Sequence, residues 1–331
     1  MRAMLLSESG SINTDRLYND DIPLRTPGKK EVSIKVNVCG VCRTDLHIVE
    51  GDLNTPRLPL VPGHQIVGTI EAVGSDVAGF AVGDSVGVPW MSSTCGVCNH
   101  CKSSRENLCD KARFTGLHVD GGHAEYAVVP QQFVYGIPEN LPTEQSAPLL
   151  CAGIIGYRTL KQSGVEPEQK LGLYGFGASA HVTIQVARHW GCDVYVFTRS
   201  EEHQCHAEKL GAVWTGKAED DPGVDLDASL VFAPAGWLMV EALKRVRKGG
   251  TVASAGIHMT PIPEFPYDLL YGERTITTAA NATFDDGAEL LQLATEIPIE
   301  TEIEVYPLDD ANMALRDLKE SRFNGAAVLK I

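Results

Sequence analysis

Residues 170–180 read KLGLYGFGASA, in which a short apolar run passes directly into a glycine-rich turn. Gly175, Gly177 and Ala180 form the pattern G-x-G-x-x-A between a predicted strand and a predicted helix. The first glycine makes the tight turn, the second lets the backbone approach a pyrophosphate, and the small third residue allows close packing of helix on strand. The helix N-terminus then receives the phosphates. The predicted cofactor loop comprises Gly175, Phe176, Gly177, Ala178, Ser179 and Ala180.

The segments around this turn predict the same kind of domain. From residue 146 onward, apolar runs such as DVYVFTRS, SLVFAPAG and TVASAGIH alternate with helical stretches such as ASAHVTIQVARHWG, EEHQCHAEKLGA and WLMVEALKRVRKGG. This alternation predicts βαβ units and a parallel, doubly wound α/β sheet of the Rossmann type. The alternative is a glycine-rich turn in such a domain that binds nothing.

The residues before 146 predict mainly strands. The run EVSIKVNV at residues 31–38 alternates strictly, with Val32, Ile34, Val36 and Val38 on one face, which is typical of a half-buried strand. Further strands are predicted at residues 66–73, 85–88 and 124–129, each bounded by glycine or proline. The first half therefore predicts a mostly antiparallel, barrel-like β domain.

Composition limits the class of protein. The chain has 331 residues, 44% of them hydrophobic, and this length suggests two domains. A net charge of −15 repels phosphate backbones and argues against a nucleic-acid partner. There is no leader-like N-terminus and no run long enough to cross a bilayer, and the nine cysteines are odd in number. We therefore expect a soluble cytoplasmic protein with reduced cysteines and no membrane partner.

Four cysteines lie close together in the run TCGVCNHCKSSRENLC at residues 94–109. Cys95, Cys98, Cys101 and Cys109 have the spacing C-x2-C-x2-C-x7-C. Four thiolates saturate a tetrahedral zinc ion and leave no open position, so this cluster predicts a structural zinc site. Four unrelated buried cysteines are a poor alternative because the loop is polar, whereas reduced cysteine normally behaves as a small hydrophobe.

Cofactor choice is predicted from the end of the strand at residues 194–197. An acidic residue about 20 positions after the glycine turn would bind the adenosine ribose of NAD. This chain has Thr198, Arg199 and Ser200 there, and a guanidinium with two hydroxyls suits a 2′-phosphate. NADP is therefore slightly favoured over NAD. The alternatives are that Glu201 or Glu202 reaches the ribose, or that Arg199 is a solvated surface charge.

A second group of cysteine and histidine residues lies in CGVCRTDLH at residues 39–47, in PGHQIVG at residues 62–68, and at Cys151. Three such ligands brought together by a fold make a zinc site with a fourth position open to substrate. Cys42, His64 and Cys151 are the candidate ligands. Cys39 and Cys42 could equally form a C-x-x-C redox pair, although such pairs normally begin a helix in a different setting.

Over nearly its whole length, the chain resembles the zinc-dependent alcohol dehydrogenases of the medium-chain dehydrogenase/reductase superfamily. In that family the catalytic-zinc cysteine precedes a basic residue, a serine or threonine, and an aspartate, which here are Cys42, Arg43, Thr44 and Asp45. The resemblance implies that Cys42 rather than Cys39 is a ligand, that His64 and Cys151 complete the catalytic site, and that each chain carries two zinc ions.

The same resemblance implies roles for neighbouring residues. Thr44 would take up the proton of the substrate hydroxyl, and His47 would release it at the surface. Asp45 would hydrogen-bond the zinc-binding histidine, and Arg43 would contact the cofactor pyrophosphate. The nicotinamide ring would lie near Ile257 and His258. Taken singly, Thr44 and Asp45 could instead cap a helix, and His47 could be an exposed helical residue.

By resemblance, Trp90 and Leu53 would line a medium apolar pocket, with Trp90 near the zinc; the alternative is that Trp90 is a core residue. The expected function is hydride transfer between NAD(P) and an alcohol, most naturally a primary aliphatic or aromatic one. A polyol dehydrogenase, a zinc-independent enone or quinone reductase, and a non-catalytic NADPH- or zinc-binding protein are the alternatives. Gln65 stands where the family usually has glutamate, and its effect on turnover is open.

The resemblance also implies the domain arrangement. We expect a GroES-like catalytic domain at residues 1–150 and 281–331, with the zinc lobe at 95–109, and a Rossmann domain at 151–280. A homodimer or homotetramer is expected from the family.

Overall fold

A computed structural model describes all 331 residues, which divide into two compact units. The first unit comprises Met1–Cys151, Thr283–Glu296 and Glu300–Ile331, and the second comprises Ala152–Ala282 and Ile297–Ile299. No helix is both long and apolar enough to span a membrane.

The N-terminal part of the first unit is rich in strands. Its strands are β1 (Arg2–Leu6), β2 (Leu17–Asp21), β3 (Glu31–Val41), β4 (Gln65–Val73), β5 (Ser85–Val88), β6 (Met91–Ser93), β7 (Arg113–Phe114), β8 (Tyr126–Pro130) and β9 (Tyr135–Gly136). Its helices are α1 (Arg43–Glu50), α2 (Asn99–Lys102) and α3 (Thr143–Pro148), and a π-helical turn at Leu149–Gly153 follows α3.

The second unit alternates strands with helices. In chain order it contains α4 (Ile154–Ser163), β10 (Lys170–Tyr174), α5 (Ala178–His189), β11 (Asp193–Phe197), α6 (Glu201–Lys209), β12 (Trp214–Gly216), β13 (Leu226–Val231), α7 (Trp237–Arg245), β14 (Val246–Ser254) and β15 (Thr275–Thr278). The chain then returns to the first unit with α8 (Phe284–Glu296), β16 (Ile303–Pro307), α9 (Ala311–Glu320) and β17 (Ala326–Lys330).

The main sheet of the first unit has seven strands in the order β16-β17-β3-β4-β5-β9, with β8 also pairing with β3. Every pairing is antiparallel except β16 with β17. The alternating residues Val32, Ile34, Val36 and Val38 of β3 are all buried, as the sequence pattern predicts. The pairing of β3 with β4 brings Gly40 opposite Gln65, and the segments just beyond these two residues carry the candidate site.

The sheet of the second unit has six parallel strands in the order β12-β11-β10-β13-β14-β15. The strand order reverses between β10 and β13, and in such sheets ligands bind beyond the carboxyl ends of the strands at this point. The glycine turn at residues 175–180 directly follows β10. The predicted fold class, a doubly wound Rossmann sheet with a mostly β companion domain, is confirmed.

One element differs from the sequence-based expectation. The run WLMVEALKRVRKGG reads as one helical stretch, yet α7 ends at Arg245 and β14 begins at Val246. The β-branched Val246 and the glycines Gly249 and Gly250 have poor helix propensity, and pairing with β13 overrides the local pattern there.

Candidate active site

Three potential metal ligands converge within the first unit. The Cys42 Sγ atom lies 3.4 Å from His64 Nε2 and 3.9 Å from Cys151 Sγ, and His64 Nε2 lies 3.2 Å from Cys151 Sγ. His64 is buried, while both cysteines are half-buried. The structure thus brings together all three residues that the sequence suggested, although they are separated by up to about a hundred positions.

The separations between these donor atoms fit a tetrahedral metal ion. With Zn–S of about 2.3 Å and Zn–N of about 2.0 Å, tetrahedral ligands lie roughly 3.5–3.8 Å apart. The observed distances are 3.2 to 3.9 Å. Two thiolates and one imidazole supply three positions, so the donor set suits a zinc ion whose fourth position is open to substrate.

Asp45 connects helix α1 to this ligand set. Its Oδ2 atom accepts a hydrogen bond from the Cys42 N–H at 2.9 Å, and its Oδ1 atom lies 3.1 Å from His64 Nδ1. The sequence left open that Thr44 and Asp45 cap a helix beginning at Leu46, but the helix begins at Arg43 with Cys42 as N-cap, and Asp45 in its first turn contacts both the Cys42 N–H and the His64 ring. With Nδ1–H donated to Asp45, Nε2 faces the two sulfur atoms, where its lone pair would bind a metal ion in place of a proton.

The turn before His64 requires glycine. Gly63 has φ +93°, a conformation that L side chains rarely adopt. A Cβ atom there would lie 2.3 Å from His123 Cδ2 and 2.9 Å from Cys39 Sγ. Cys39 itself is buried in the core of the sheet. This crowding fixes the direction in which the chain delivers His64.

Cys151 lies in the π-helical turn Leu149–Gly153, directly after α3, which ends at Pro148. A π-helical turn inserts an extra residue into the helical repeat and is often found at functional sites. Without that insertion, the side chain at position 151 would point in a different direction around the helix axis. No signal in the sequence predicts this turn.

The electrostatics of the cluster favour a bound cation. Burial alone would lower the pKa of His64, but the Asp45 carboxylate and the Cys42 sulfur outweigh it and raise that pKa to about 10. Neither His64 nor Asp45 exposes any of its side chain to solvent. The same negative groups that raise the pKa of the buried His64 ring would also stabilise a bound metal cation.

The four cysteines of the zinc lobe, Cys95, Cys98, Cys101 and Cys109, also converge, with their Sγ atoms all within 4.8 Å of one another. Cys101 Sγ lies 3.9 Å from Cys95 Sγ and 3.5 Å from Cys98 Sγ, again close to tetrahedral spacing. Backbone N–H groups of Val97 and Cys98 lower the pKa of Cys95 to about 6, so its thiolate is available at neutral pH. The donor set fits a closed, structural zinc site.

The cofactor loop in the second unit has the expected local geometry. Gly175 has φ +89°, and a Cβ atom there would approach Ala233 to 3.0 Å. Gly177 precedes α5, and a Cβ atom at this position would meet nothing within 4 Å. Ala180 is fully buried. The N-terminus of α5 is therefore accessible to a phosphate group, in keeping with the dinucleotide motif.

The end of β11 presents one cationic side chain. Thr198 is buried, Ser200 caps α6 by accepting a hydrogen bond from the His203 N–H, and Arg199 is exposed. Arg199 forms no ion pair with a carboxylate in the structure. Ile257 and His258 lie on the exposed loop after β14.

Helix α1 carries the other predicted residues, Arg43, Thr44 and His47. Arg43 is exposed at its start and Thr44 is half-buried. His47 Nδ1 lies 2.8 Å from Asp52 Oδ2, so donation of Nδ1–H to the carboxylate makes Nε2 the basic atom of the neutral ring.

An aromatic surface lies next to His64. The Trp90 ring meets the His64 ring edge-on at 4.7 Å between centroids and stacks on Phe114 at 4.9 Å. The His118 ring lies 5.4 Å from Phe114. Leu53, predicted as a pocket residue, packs against the same core cluster as Trp90. The sequence reasoning missed Phe114 and His118, because position 114 becomes adjacent to Trp90 only through pairing of β6 with β7.

Comparison with known proteins agrees with this geometry. The family model of the alcohol dehydrogenase GroES-like domain matches residues 28–139, and that of the zinc-binding dehydrogenase matches residues 180–296. The whole chain is 43% identical to the probable alcohol dehydrogenase AdhA of Mycobacterium tuberculosis (strain CDC 1551 / Oshkosh), covering 97% of that protein.

Solved structures show the same fold. A cinnamyl alcohol dehydrogenase of Sorghum bicolor has a TM-score of 0.92 and 29% identity, with 99% of this chain and 97% of that chain covered. The CAD of Helicobacter pylori, solved in complex with NADP(H), has a TM-score of 0.89 and 26% identity, with 100% and 99% covered.

A Rossmann sheet combined with a two-cysteine, one-histidine centre in a GroES-like domain defines a metal-containing, dinucleotide-dependent oxidoreductase. The chain belongs to the zinc-dependent alcohol dehydrogenases of the medium-chain dehydrogenase/reductase superfamily, which interconvert alcohols and aldehydes with NAD(P).

Proposed function

We propose that this chain acts on primary aliphatic and aromatic alcohols and on the corresponding aldehydes, with Cys42, His64 and Cys151 as ligands of the catalytic zinc. The observation that carries this proposal is the convergence of these three donor atoms beside the apolar face of Trp90. When bound, zinc would polarise the substrate oxygen as a Lewis acid, and the nicotinamide would accept or donate the hydride.

The side chains of helix α1 supply the remaining chemistry. Asp45 holds His64 in the tautomer whose Nε2 faces the sulfurs. Thr44 Oγ1 would accept a hydrogen bond from the substrate hydroxyl and, as it takes up that proton, pass its own proton through the ribose of the bound nicotinamide cofactor to His47 Nε2 near the surface. Asp52 orients the His47 ring through Nδ1. Arg43 is proposed as a contact of the cofactor pyrophosphate.

The pocket chemistry favours apolar substrates over polyols. Trp90 contacts the His64 ring and stacks on Phe114, and Leu53 packs against the same core cluster as Trp90. Such a surface binds hydrocarbon and aromatic groups by burial and stacking. A polyol needs several hydrogen-bond partners instead.

Three finer features belong to the same proposal. A second zinc ion at Cys95, Cys98, Cys101 and Cys109 would be structural. Clusters of free thiolates support a reducing, cytoplasmic location.

A homodimer or homotetramer is supported by β15, an edge strand of the six-stranded sheet, and by the exposed Tyr267 and Tyr271 nearby. Unpaired sheet edges readily pair with another chain.

The first test is a panel of initial rates with zinc-replete protein. The panel contains acetaldehyde, longer aliphatic aldehydes, benzaldehyde and cyclohexanone, each measured with NADPH and with NADH. We expect the aldehydes to be reduced and mannitol to be oxidised poorly. Activity that rises with the number of substrate hydroxyls would favour a polyol dehydrogenase. Absence of turnover on the whole panel would contradict the proposed substrates.

Arg199 is the proposed determinant of a preference for NADP(H). Replacing Arg199 with aspartate is expected to lower kcat/KM for NADPH about 10–100-fold relative to NADH, because a hydrogen bond to a charged group is worth roughly 1.5–3 kcal/mol. The matched control is Lys209→Asp, the same charge change at the other end of α6, which should leave the cofactor ratio unchanged. An equal change of the ratio in both variants would show a general charge effect only.

A further inference from the structure

His123 is a polar ring in a fully buried position that no motif marks. It exposes none of its surface, and apart from an interaction with the Gly40 backbone, neither Nδ1 nor Nε2 has a protein partner with good hydrogen-bond geometry. Burial lowers the pKa of His123, so the ring is neutral, with one N–H and one acceptor nitrogen. Burying a ring with poorly satisfied nitrogens is unfavourable, and an apolar ring would avoid this cost. This position therefore calls for a functional explanation.

The backbone around His123 holds the segment that ends at His64. The N–H groups of Gly121, Gly122 and His123 donate to the carbonyls of Val61, Gly63 and Pro62 at 2.7, 2.9 and 3.0 Å. Three consecutive donors thus bind the three residues that precede His64. Any shift of residues 121–123 moves the chain that delivers His64 to the ligand set.

The side chain braces the same turn. The His123 ring lies so close to Gly63 that a Cβ atom at residue 63 would be 2.3 Å from Cδ2 and 2.8 Å from Nε2. On the same side, Cys39 Sγ would be 2.9 Å away. The left-handed turn at Gly63 therefore packs against the histidine ring without space for a side chain at residue 63.

The His123 ring also lies close enough to the Asp45–His64 pair for electrostatic interaction. Asp45 raises the pKa of His123 and His64 lowers it, so the ring lies within electrostatic range of both buried partners of the 3.1 Å contact. In a buried, low-dielectric setting such interactions are stronger than in water. A phenyl ring could reproduce the packing at Gly63 but would lack the ring dipole beside this pair.

We propose that His123 is a positioning residue of the metal centre: its ring braces the Gly63 turn that delivers His64, and its dipole supports the buried Asp45–His64 pair. This inference rests on the proposed centre formed by Cys42, His64 and Cys151. It assigns no contact between His123 and substrate or metal. Residues that orient a metal ligand in this way typically change metal affinity 10–100-fold when they are replaced.

The test uses the full chain and Co²⁺ as a probe, with the thiolate-to-cobalt absorption as the readout. In His123→Phe we expect the affinity of the three-residue centre for Co²⁺, measured against a competing chelator, to fall about 10–100-fold. The four-cysteine site should keep its affinity, and the thermal midpoint of the metal-free protein should not fall. Unchanged affinity together with an unchanged cobalt spectrum would overturn the inference.

The matched control is His181→Phe. His181 is another buried histidine whose Nε2 lacks a partner, but it lies in the second unit, so its replacement should leave Co²⁺ affinity unchanged. If His123→Phe does not fold, His123→Gln and His123→Met give the same comparison with more adaptable side chains, and equal affinities in these two would overturn the role of ring polarity. Failure of the parent protein to bind Co²⁺ through Cys42, His64 and Cys151 would overturn the proposed centre itself.

Discussion

Replacing Cys151 with serine is expected to abolish turnover while leaving the chain folded. The hydroxyl is a poor ligand for zinc compared with a thiolate, so the cluster with Cys42 and His64 would lose one of its three donors. Loss of a Lewis acid worth several kcal/mol of transition-state stabilisation corresponds to a fall in kcat of about 10³-fold or more. Initial rates of aldehyde reduction and the zinc content per chain measure the result.

Cys205→Ser is the control for the cysteine change, because Cys205 is exposed on α6 and belongs to neither cluster. It should retain full activity and two zinc ions. If Cys151→Ser instead kept parental activity with one zinc fewer, the proposed catalytic centre would be wrong, and the zinc that matters would lie elsewhere.

Replacing Cys98 with serine is expected to destabilise the protein more than to change its chemistry. Cys98 lies between Cys95 and Cys101 in the four-thiolate lobe, and its Sγ accepts a hydrogen bond from the Cys101 N–H. A structural zinc site contributes its binding free energy to folding, so the loss should well exceed the roughly 1 kcal/mol of an ordinary substitution. Thermal unfolding and zinc analysis should show a lower midpoint and one zinc ion fewer.

Lys102→Ala on the same short helix is the control for Cys98→Ser, because Lys102 is exposed and is not a ligand. Its midpoint should equal that of the parent protein. A parental midpoint in Cys98→Ser, or two zinc ions retained by it, would contradict a structural metal site in this lobe.

The four-cysteine lobe shows what sequence spacing alone can predict. Its ligands lie between Cys95 and Cys109, so a single loop can bring them together, and the structure places all four Sγ atoms within 4.8 Å. The glycine turn after β10 is equally local, because strand, turn and helix follow one another directly. The fold class, the family and the activity class are confirmed. The roles of individual site residues stay predictions.

The three-residue centre could not be derived in the same way. Cys42 and His64 become neighbours because β3 pairs with β4, and Cys151 is oriented by a π-helical turn that has no sequence signature. The sequence offered these three residues only as candidates, and the resemblance to a known family was needed to favour Cys42 over Cys39. Phe114 and His123 were missed because their importance depends entirely on what the folded chain places beside them.

The glycines around residue 63 have a consequence for engineering the substrate range. A Cβ atom at Gly121 would lie 1.9 Å from the Gly63 carbonyl oxygen, and one at Gly116 would lie 2.9 Å from the Gly63 nitrogen. On this side of His64 even one added methyl group has no room. The contacts of His64 with Trp90, and of Trp90 with Phe114, are made by side chains. Libraries that vary Trp90 and Phe114 should yield folded enzymes with altered preferences, whereas libraries that vary these glycines should yield mostly unfolded protein.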